Sequence, residues 1–212
     1  MAIDYFSGLT LFYHARDSLM PGSFSVETIK ERIKSIASPL RRQLLLLAYV
    51  SGELRKTGKP VPVLIGGCAL AYYSREVYFT ADIDLACADR EALGKVLVKL
   101  GFEVNGRYWV NPELNLIVEV PASSLIGEDA PLETVDLGDG LECMVIGIED
   151  LLIDRMNACI HWKSSNECEM VELLIRQMGT EIDWEYLMKR AALPGNDSAD
   201  EFNKLRNASA IK

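Results

Sequence analysis

The hydrophobic positions in the first quarter of the chain recur at helical spacing. Three isoleucines, three or four residues apart, follow a serine suited to capping a helix, and this pattern predicts a helix over residues 25–37. A second helix is predicted from Ser38, with Pro39 at its first position, leucines through its middle and Gly58 just beyond its last turn. Residues 4–22 predict only a short helix or an irregular arm.

Shorter runs of β-branched and other apolar residues follow, separated by turn residues. They predict strands over residues 61–65, 83–86, 108–110, 114–120, 134–137 and 142–146. Helical spacing is found over residues 68–74, 90–100, 149–159, 170–178 and 184–192. The predicted fold is therefore α/β (α+β) with a small mixed sheet. Its parts are an N-terminal helical segment, an α/β core, a C-terminal helical segment and a frayed polar tail, over residues 1–60, 61–146, 147–194 and 195–212.

The composition is that of an ordinary globular protein. The chain has 212 residues, of which 49% are hydrophobic and 25% are charged, and this excludes disordered and fibrous classes. A formal charge of -9 argues against broad binding to duplex DNA or to a membrane surface, since both depend on clustered lysine and arginine. The apolar runs are too short to cross a bilayer, and the first residues lack the pattern of a secretory signal. We therefore expect a cytoplasmic protein.

Five cysteines are spread along the chain without a C-x-x-C pair. They are Cys68, Cys87, Cys143, Cys159 and Cys168. An odd number at such spacings predicts reduced, mostly buried thiols rather than a disulfide framework or a zinc site.

A double glycine follows the first predicted strand. Gly66 and Gly67 have no β-carbon, so the backbone can turn steeply and bring its N–H groups close to an anion at the start of the next helix. That arrangement suits a triphosphate. For an isolated Gly-Gly, tight packing of a helix against a strand is the more frequent explanation, so the pair needs support from other residues.

Two aspartates on the next predicted strand give that support. Asp82 and Asp84 alternate with Ile83, so both carboxylates project from one face of the strand. Like charges this close favour a neutralising cation, and hard oxygen ligands suit Mg²⁺ or Mn²⁺. The hydroxyl of Thr80 is placed to orient a carboxylate or to contact the ligand. An isolated Asp-x-Asp is more often a solvated strand end, but beside a glycine turn it favours a joint metal and phosphate site.

Glu119 is a third acidic candidate, on a later strand. It stands between Val118 and Val120, and alternation puts it on the face opposite to both. A buried carboxylate without a partner is costly, and a metal shared with the aspartates would remove that cost. Glu119 is therefore expected to be a third metal ligand or a base. The alternative is an exposed glutamate on an edge strand, or one that pairs with arginine or lysine.

These motifs resemble the nucleotidyltransferase superfamily that includes DNA polymerase beta and kanamycin nucleotidyltransferase. Its core pattern is a hydrophobic residue with Gly-Gly or Gly-Ser, then Asp-x-Asp, then a third acidic residue on a later strand. The matching positions here are Ile65-Gly66-Gly67, Asp82-Ile83-Asp84 and Glu119. Residues 66–70, 80–85 and 149–155 also resemble bacterial and archaeal nucleotidyltransferase-like proteins of the toxin–antitoxin type.

The resemblance implies transfer of a nucleoside monophosphate from a nucleoside triphosphate to an acceptor hydroxyl. Asp82, Asp84 and Glu119, here called the acidic triad, would hold two divalent cations, Mg²⁺ or Mn²⁺, and the double glycine would position the β and γ phosphates. The sequence does not identify the acceptor, for which a protein, a tRNA end and a small molecule are the candidates. It does not identify a partner protein either.

The chain departs from the superfamily pattern at Tyr78, where such relatives often place an arginine. Arg75 nearby, and Arg155 and Lys163 in the C-terminal segment, are the candidates to supply positive charge to the triphosphate. Residues of this type are more often solvated or in ion pairs. Two other functions therefore stay open: a non-catalytic nucleotide-binding or antitoxin-like interaction module with the same fold, and a structural protein whose acidic strand residues decorate its surface.

Overall fold

A computed structural model of the chain describes residues 24–125, 130–196 and 198–208, and the predicted arm over residues 4–22 lies outside them. The helices of the described part, α1 to α8, span Val26–Ser35, Pro39–Lys56, Gly66–Tyr73, Arg90–Lys99, Ile148–Trp162, Ser165–Met178, Trp184–Ala191 and Ala199–Ala208. The strands, β1 to β7, span Val63–Ile65, Asp82–Ala86, Glu103–Asn105, Tyr108–Asn111, Leu116–Ala122, Leu132–Asp136 and Glu142–Ile146.

The strands form one mixed sheet in the order β3-β4-β5-β2-β1-β7-β6. β2 runs parallel to β5 and β1 runs parallel to β7, while the other neighbouring pairs are antiparallel. This confirms the predicted fold class, a mixed sheet with flanking helices. Because β2 and β5 are neighbours inside the sheet, residues at matching positions of the two strands lie side by side.

Helices α2 and α4 cover one face of this sheet. Leu46 and Leu47 of α2 and Leu97 of α4 meet Ile83 of β2 and Val118 of β5 in the core. Since side chains alternate along a strand, the neighbours of Ile83 and Val118 on the same strands project from the other face. The acidic triad is therefore separated from the α2–α4 side by the sheet itself.

The helix boundaries follow the caps that the sequence provides. Ser25 and Ser38 accept hydrogen bonds from backbone N–H groups three residues later, each at 3.1 Å, and Pro39 occupies the first position of α2. A side-chain cap of this kind stabilises a helix by about 1 kcal/mol. The two N-terminal helices thus begin where the sequence predicts.

One continuous hydrophobic core joins the described residues, from Ile29 of α1 to Phe202 of α8. The architecture does not test the predicted segment boundaries at residues 60, 146 and 194, and they stay a prediction. Within the described residues, no helix combines the length and the apolar character needed to cross a bilayer.

Two elements differ from the prediction. The short strand β3 was not predicted; its three side chains are all exposed, so it carries no buried apolar pattern, and it forms a hairpin with β4. The prediction of a frayed tail is wrong for residues 199–208, which form α8 against α6 and α7. Phe202 is fully buried there, and Ala199 and Leu205 also pack against the core.

The prediction of reduced thiols is wrong for two of the five cysteines. Cys159 in α5 and Cys168 in α6 form a disulfide across the corner between these helices, with their Cα atoms 5.0 Å apart. The other three, Cys68, Cys87 and Cys143, are buried and free, as predicted. The pairing depends on the helix–helix corner, which the spacing of the cysteines does not reveal.

Candidate active site

The parallel pairing of β2 and β5 brings the acidic triad together. Asp84 lies directly opposite Glu119 in the register, and Asp82 lies two residues before Asp84 on the same face. One carboxylate oxygen from each of the three residues lies within 4.8 Å of the others. The structure therefore produces the convergence that the sequence predicts, on the sheet face opposite α2 and α4.

The ionised form of Asp84 is disfavoured by its surroundings. Its pKa is raised, first by burial and then by the charge of Asp82, with a further contribution from Glu119. The N–H of Gly67, which donates to Oδ2 of Asp84 at 3.4 Å, and the charge of Arg155 act in the opposite direction. The triad thus carries more negative charge than its neighbours compensate. Three hard oxygen donors in this small volume fit Mg²⁺ or Mn²⁺.

The double glycine holds the start of α3 against Asp84. Ile65 at the end of β1 pairs with Asp84, and Gly66 follows with φ at +61°. A β-carbon on Gly66 would lie 2.9 Å from Cγ of Asp84, and one on Gly67 would lie 3.2 Å from Cβ of Thr80. Tight packing is therefore one real role of the pair. The same packing places the first N–H groups of α3 beside the triad, where a phosphate would need them.

Thr80 orients one member of the triad. Its hydroxyl donates to Oδ1 of Asp82 at 2.5 Å, and its carbonyl oxygen accepts a hydrogen bond from Nε2 of Gln43 in α2 at 3.1 Å. The threonine is therefore fixed from both sides, and it fixes the carboxylate of Asp82 in turn.

One of the three predicted basic residues acts on the triad. Arg155 of α5 is largely buried and lies close enough to lower the pKa of Asp84. It also pairs with Asp154 at 2.5 Å and with Glu167 of α6 at 3.4 Å, so the alternative of an ion-paired arginine holds as well. Tyr78, at the position where relatives often have arginine, is partly buried against the core, and its pKa is raised by burial and by Glu167 and lowered by Arg155.

The other two basic residues are not joined to the triad. Arg75 follows α3 and Lys163 ends α5; both are exposed and both have positive φ, at 55° and 52°. Within the described residues, neither side chain makes an ion pair with an acidic residue. Their contact with a nucleotide stays a prediction.

Arg107 is a site residue that the sequence did not identify. Its Nε lies 3.2 Å from Oε1 of Glu119, and its guanidinium lies over the ring of Tyr108 and donates to the hydroxyl at 2.6 Å. The hydrogen bond to Tyr108, the charge of Glu119 and, more weakly, that of Asp82 raise the pKa of Arg107. Pairing of Glu119 with an arginine is thus confirmed, whereas its position on an edge strand is wrong, because β5 lies between β4 and β2.

The signal for Arg107 was the dipeptide before it. Asn105-Gly106 indicates a hairpin turn. In the structure Asn105 ends β3 and pairs with Tyr108, so Gly106, at φ +62°, and Arg107 form the two-residue loop between β3 and β4. Tyr108 of β4 pairs opposite Glu119 of β5. A hairpin predicted at this turn would have brought Arg107 next to the triad.

Comparison with known proteins identifies the fold. No family model and no curated protein sequence matches the chain. Its structure is similar to that of an antigenic nucleotidyltransferase-like protein from Paracoccidioides brasiliensis, with a TM-score of 0.54 and 16% sequence identity over 83% of this chain and 94% of that chain. It is also similar to the antibiotic-resistance factor ANT(2'')-Ia, with a TM-score of 0.44 and 18% identity over 78% and 95% of the two chains. The chain has a nucleotidyltransferase-like fold, and the toxin–antitoxin subtype stays a prediction.

Proposed function

We propose that the protein is a metal-dependent nucleotidyltransferase, which transfers a nucleoside monophosphate from a nucleoside triphosphate to an acceptor hydroxyl. One observation carries the proposal: three carboxylates from two neighbouring strands converge within 4.8 Å beside the glycine turn that begins α3. The nucleotidyltransferase-like fold supports it. Fold alone does not specify a reaction, so the proposal rests on the site.

Asp82, Asp84 and Glu119 are the proposed ligands of two divalent cations, Mg²⁺ or Mn²⁺. Their excess of negative charge and their oxygen donors suit such cations. When bound, the cations would neutralise charge on the triphosphate and lower the pKa of the acceptor hydroxyl. Because Thr80 already fixes the carboxylate of Asp82, part of this donor set is oriented in advance.

The start of α3 is the proposed site of the β and γ phosphates. The N–H of Gly67 points at Asp84 in this structure, and the first N–H groups of a helix have no partner within the helix. Arg155 lies close enough to Asp84 to lower its pKa, and its positive charge would also attract a phosphate. Arg75 and Lys163 are further proposed phosphate contacts that depend on movement of their exposed side chains.

Glu119 is the proposed acceptor of the hydroxyl proton. In the transfer, the acceptor oxygen forms a bond to the α-phosphorus, the bond from that phosphorus to the bridging oxygen breaks, and pyrophosphate leaves. Glu119 lies beside Asp84 and is almost fully buried, so the proton would pass to a carboxylate held in a fixed place. Positioning and fixed charge then supply most of the rate enhancement.

A second candidate is a nucleotide-binding or antitoxin-like interaction module without transfer activity. Two observations favour it: Glu119 is already paired with Arg107, and Tyr78 replaces a positive charge that relatives often have. Such a module would bind the nucleotide and release no pyrophosphate. The acceptor, or a partner protein, would be recognised by surfaces outside the triad in either case.

The proposal is tested by incubating the protein with each α-labelled nucleoside triphosphate, Mg²⁺ or Mn²⁺, and cell lysate. We expect pyrophosphate release and a labelled product, and we expect the double variant Asp82→Asn with Asp84→Asn to lose at least about 1,000-fold of this activity, because metal ligation supplies several kcal/mol at the transition state. The matched control is Asp139→Asn with Asp200→Asn, which makes the same change of charge at exposed positions.

The outcomes separate the candidates. Metal-dependent nucleotide binding that the triad variant abolishes, without pyrophosphate release, would favour the non-catalytic module. Equal behaviour of the triad variant and the control in both assays would leave the carboxylates as structural residues and overturn the proposal.

A further inference from the structure

The ion pair between Arg107 and Glu119 joins two residues of very different exposure. The side chain of Glu119 is 11% exposed, whereas that of Arg107 is 68% exposed. Glu119 is held within a central strand, but Arg107 projects from the turn of the β3–β4 hairpin. The arginine can therefore leave the pair at little cost in desolvation, and the glutamate cannot.

Arg90 fixes the backbone beneath Arg107. Arg90 of α4 donates one hydrogen bond to the carbonyl oxygen of Arg107 at 3.2 Å and another to that of Val120 at 3.0 Å, and its guanidinium lies 4.5 Å from the ring of Trp109. These contacts tie the hairpin to β5. The guanidinium of Arg107 lies on an exposed side chain beside the triad, where it contacts Glu119 and Tyr108.

We propose that Arg107 is the counter-ion of the acidic triad in the metal-free protein, and that a divalent cation displaces it from Glu119 and leaves it free to bind the anionic nucleotide. The inference rests on the proposed function, because it takes the triad as the cation site. The guanidinium of Arg107 and a divalent cation are both positive and both bind the carboxylate of Glu119, so they repel each other there. The displaced side chain still reaches the rim of the site, where the ring and hydroxyl of Tyr108 hold it.

This arrangement predicts opposite effects of one substitution on two ligands. Without the arginine, a cation meets no competitor at Glu119, so Arg107→Gln is expected to bind Mn²⁺ alone about threefold to fivefold more tightly. The same variant lacks a positive group at the rim, so it is expected to bind a non-hydrolysable triphosphate in saturating Mn²⁺ about threefold to fivefold more weakly. An arginine without an electrostatic effect on the triad would shift neither affinity.

The experiment measures both affinities on the full chain, Mn²⁺ by electron paramagnetic resonance and the analogue by calorimetry. Arg176→Gln is the matched control, since Arg176 is 65% exposed and pairs with Glu172 on α6. Arg107→Lys keeps the charge and is expected to bind Mn²⁺ nearly as the wild type does. Thermal unfolding of each variant shows whether it is folded, and the exposure of Arg107 predicts that all are.

Each result of these measurements supports or overturns the inference. If Arg107→Gln binds Mn²⁺ no more tightly than the wild type, while the double variant Asp82→Asn with Asp84→Asn binds none, the inference fails and the metal site stands. If the analogue binds Arg107→Gln as well as it binds the wild type, the nucleotide contact is wrong. If the wild type binds no more Mn²⁺ than the double variant, the proposed function fails together with the inference.

Discussion

Two groups of acidic side chains are similarly hidden from solvent but are very differently surrounded. One is the acidic triad on β2 and β5. The other is the pair Glu149 and Asp150 in the first turn of α5, which contacts α7. Glu149 accepts a hydrogen bond from the N–H of Asp183 at 2.8 Å, and Asp150 accepts from the hydroxyl of Tyr186 at 2.9 Å and from Nε of Arg190 at 3.2 Å. These acids join two helices.

The triad has fewer fixed donors: the hydroxyl of Thr80 donates to Asp82. Within the described residues, Asp84 accepts one long hydrogen bond, from the backbone of Gly67, and Glu119 forms its ion pair with the exposed Arg107. Burial raises the pKa of both Asp84 and Glu149, so a raised pKa alone does not mark a functional site. The next cause differs: a like charge raises the pKa of Asp84 further, whereas the hydrogen bond from Asp183 lowers that of Glu149. The shortage of fixed donors distinguishes a site prepared for a ligand from a completed structural contact.

The largest effect on stability is expected at the structural acid. Glu149→Ala would remove a buried side chain and leave the N–H of Asp183 without its acceptor in a partly buried place, and we expect the free energy of unfolding to fall by about 2 kcal/mol. Urea denaturation at pH 7 measures the loss. Glu181→Ala, which removes an exposed glutamate near the same helix start, is the control and should change stability by less than about 0.5 kcal/mol. Equal losses in the two variants would show that Glu149 is not a structural partner of α7.

Local rules explain why the triad was predictable and why Arg107 and the contact of Glu149 were not. Alternation along two strands places Asp82, Asp84 and Glu119 on one face, so their convergence needed only the correct strand order. The contact of Glu149 with Asp183 spans 34 residues and depends on how α5 and α7 pack, which no local pattern encodes. Arg107 depends on the register of a hairpin whose first strand has no buried side chain.

The helices outside the α/β core also show that local patterns predict local features and miss long-range contacts. The caps at Ser25 and Ser38 act within three residues, and they fix the predicted helix starts. By contrast, α8 has only Phe202 fully buried, and the disulfide of Cys159 and Cys168 forms at a corner between two helices. Both features are consequences of tertiary packing rather than of a period in the sequence.

Arg155 contacts both the helical region and the triad, so its replacement tests the difference between structural and site residues. It pairs with Glu167 in the helical region and lowers the pKa of Asp84 in the triad. We expect Arg155→Gln to weaken binding of a metal–triphosphate complex about tenfold, because a largely buried positive charge is lost near the phosphates. The matched variant Glu167→Gln keeps the arginine and releases it from one partner, so it should bind at least as tightly as the wild type. Equal weakening in both variants would mean that the ion pair serves only the packing of α5 on α6.

The smallest effect, and the most direct test of the comparison, is the pH dependence of Asp84→Asn. The pKa of Asp84 in the folded protein is raised above its ordinary value of 3.8, so the ionised form is disfavoured by folding. The stability that Asp84 contributes is therefore fully present below pH 3.8 and is lost as the pH rises through the raised pKa. Asparagine does not ionise, so the Asp84→Asn variant does not lose this stability as the pH rises. Its side-chain oxygen can still accept the hydrogen bond from Gly67.

In the absence of metal, we therefore expect Asp84→Asn to match or exceed the wild type at pH 7, by up to about 0.5 kcal/mol, and to lose this advantage at pH 3.5. Urea denaturation at the two pH values measures the difference. Glu149→Ala should be less stable than the wild type at pH 7, because it removes a fixed acceptor instead of an uncompensated charge. Asp84→Asn could instead be destabilised at pH 7 as strongly as Glu149→Ala. In that case the carboxylate of Asp84 would be a completed structural contact like that of Glu149, and it would not need a metal ion to balance its charge.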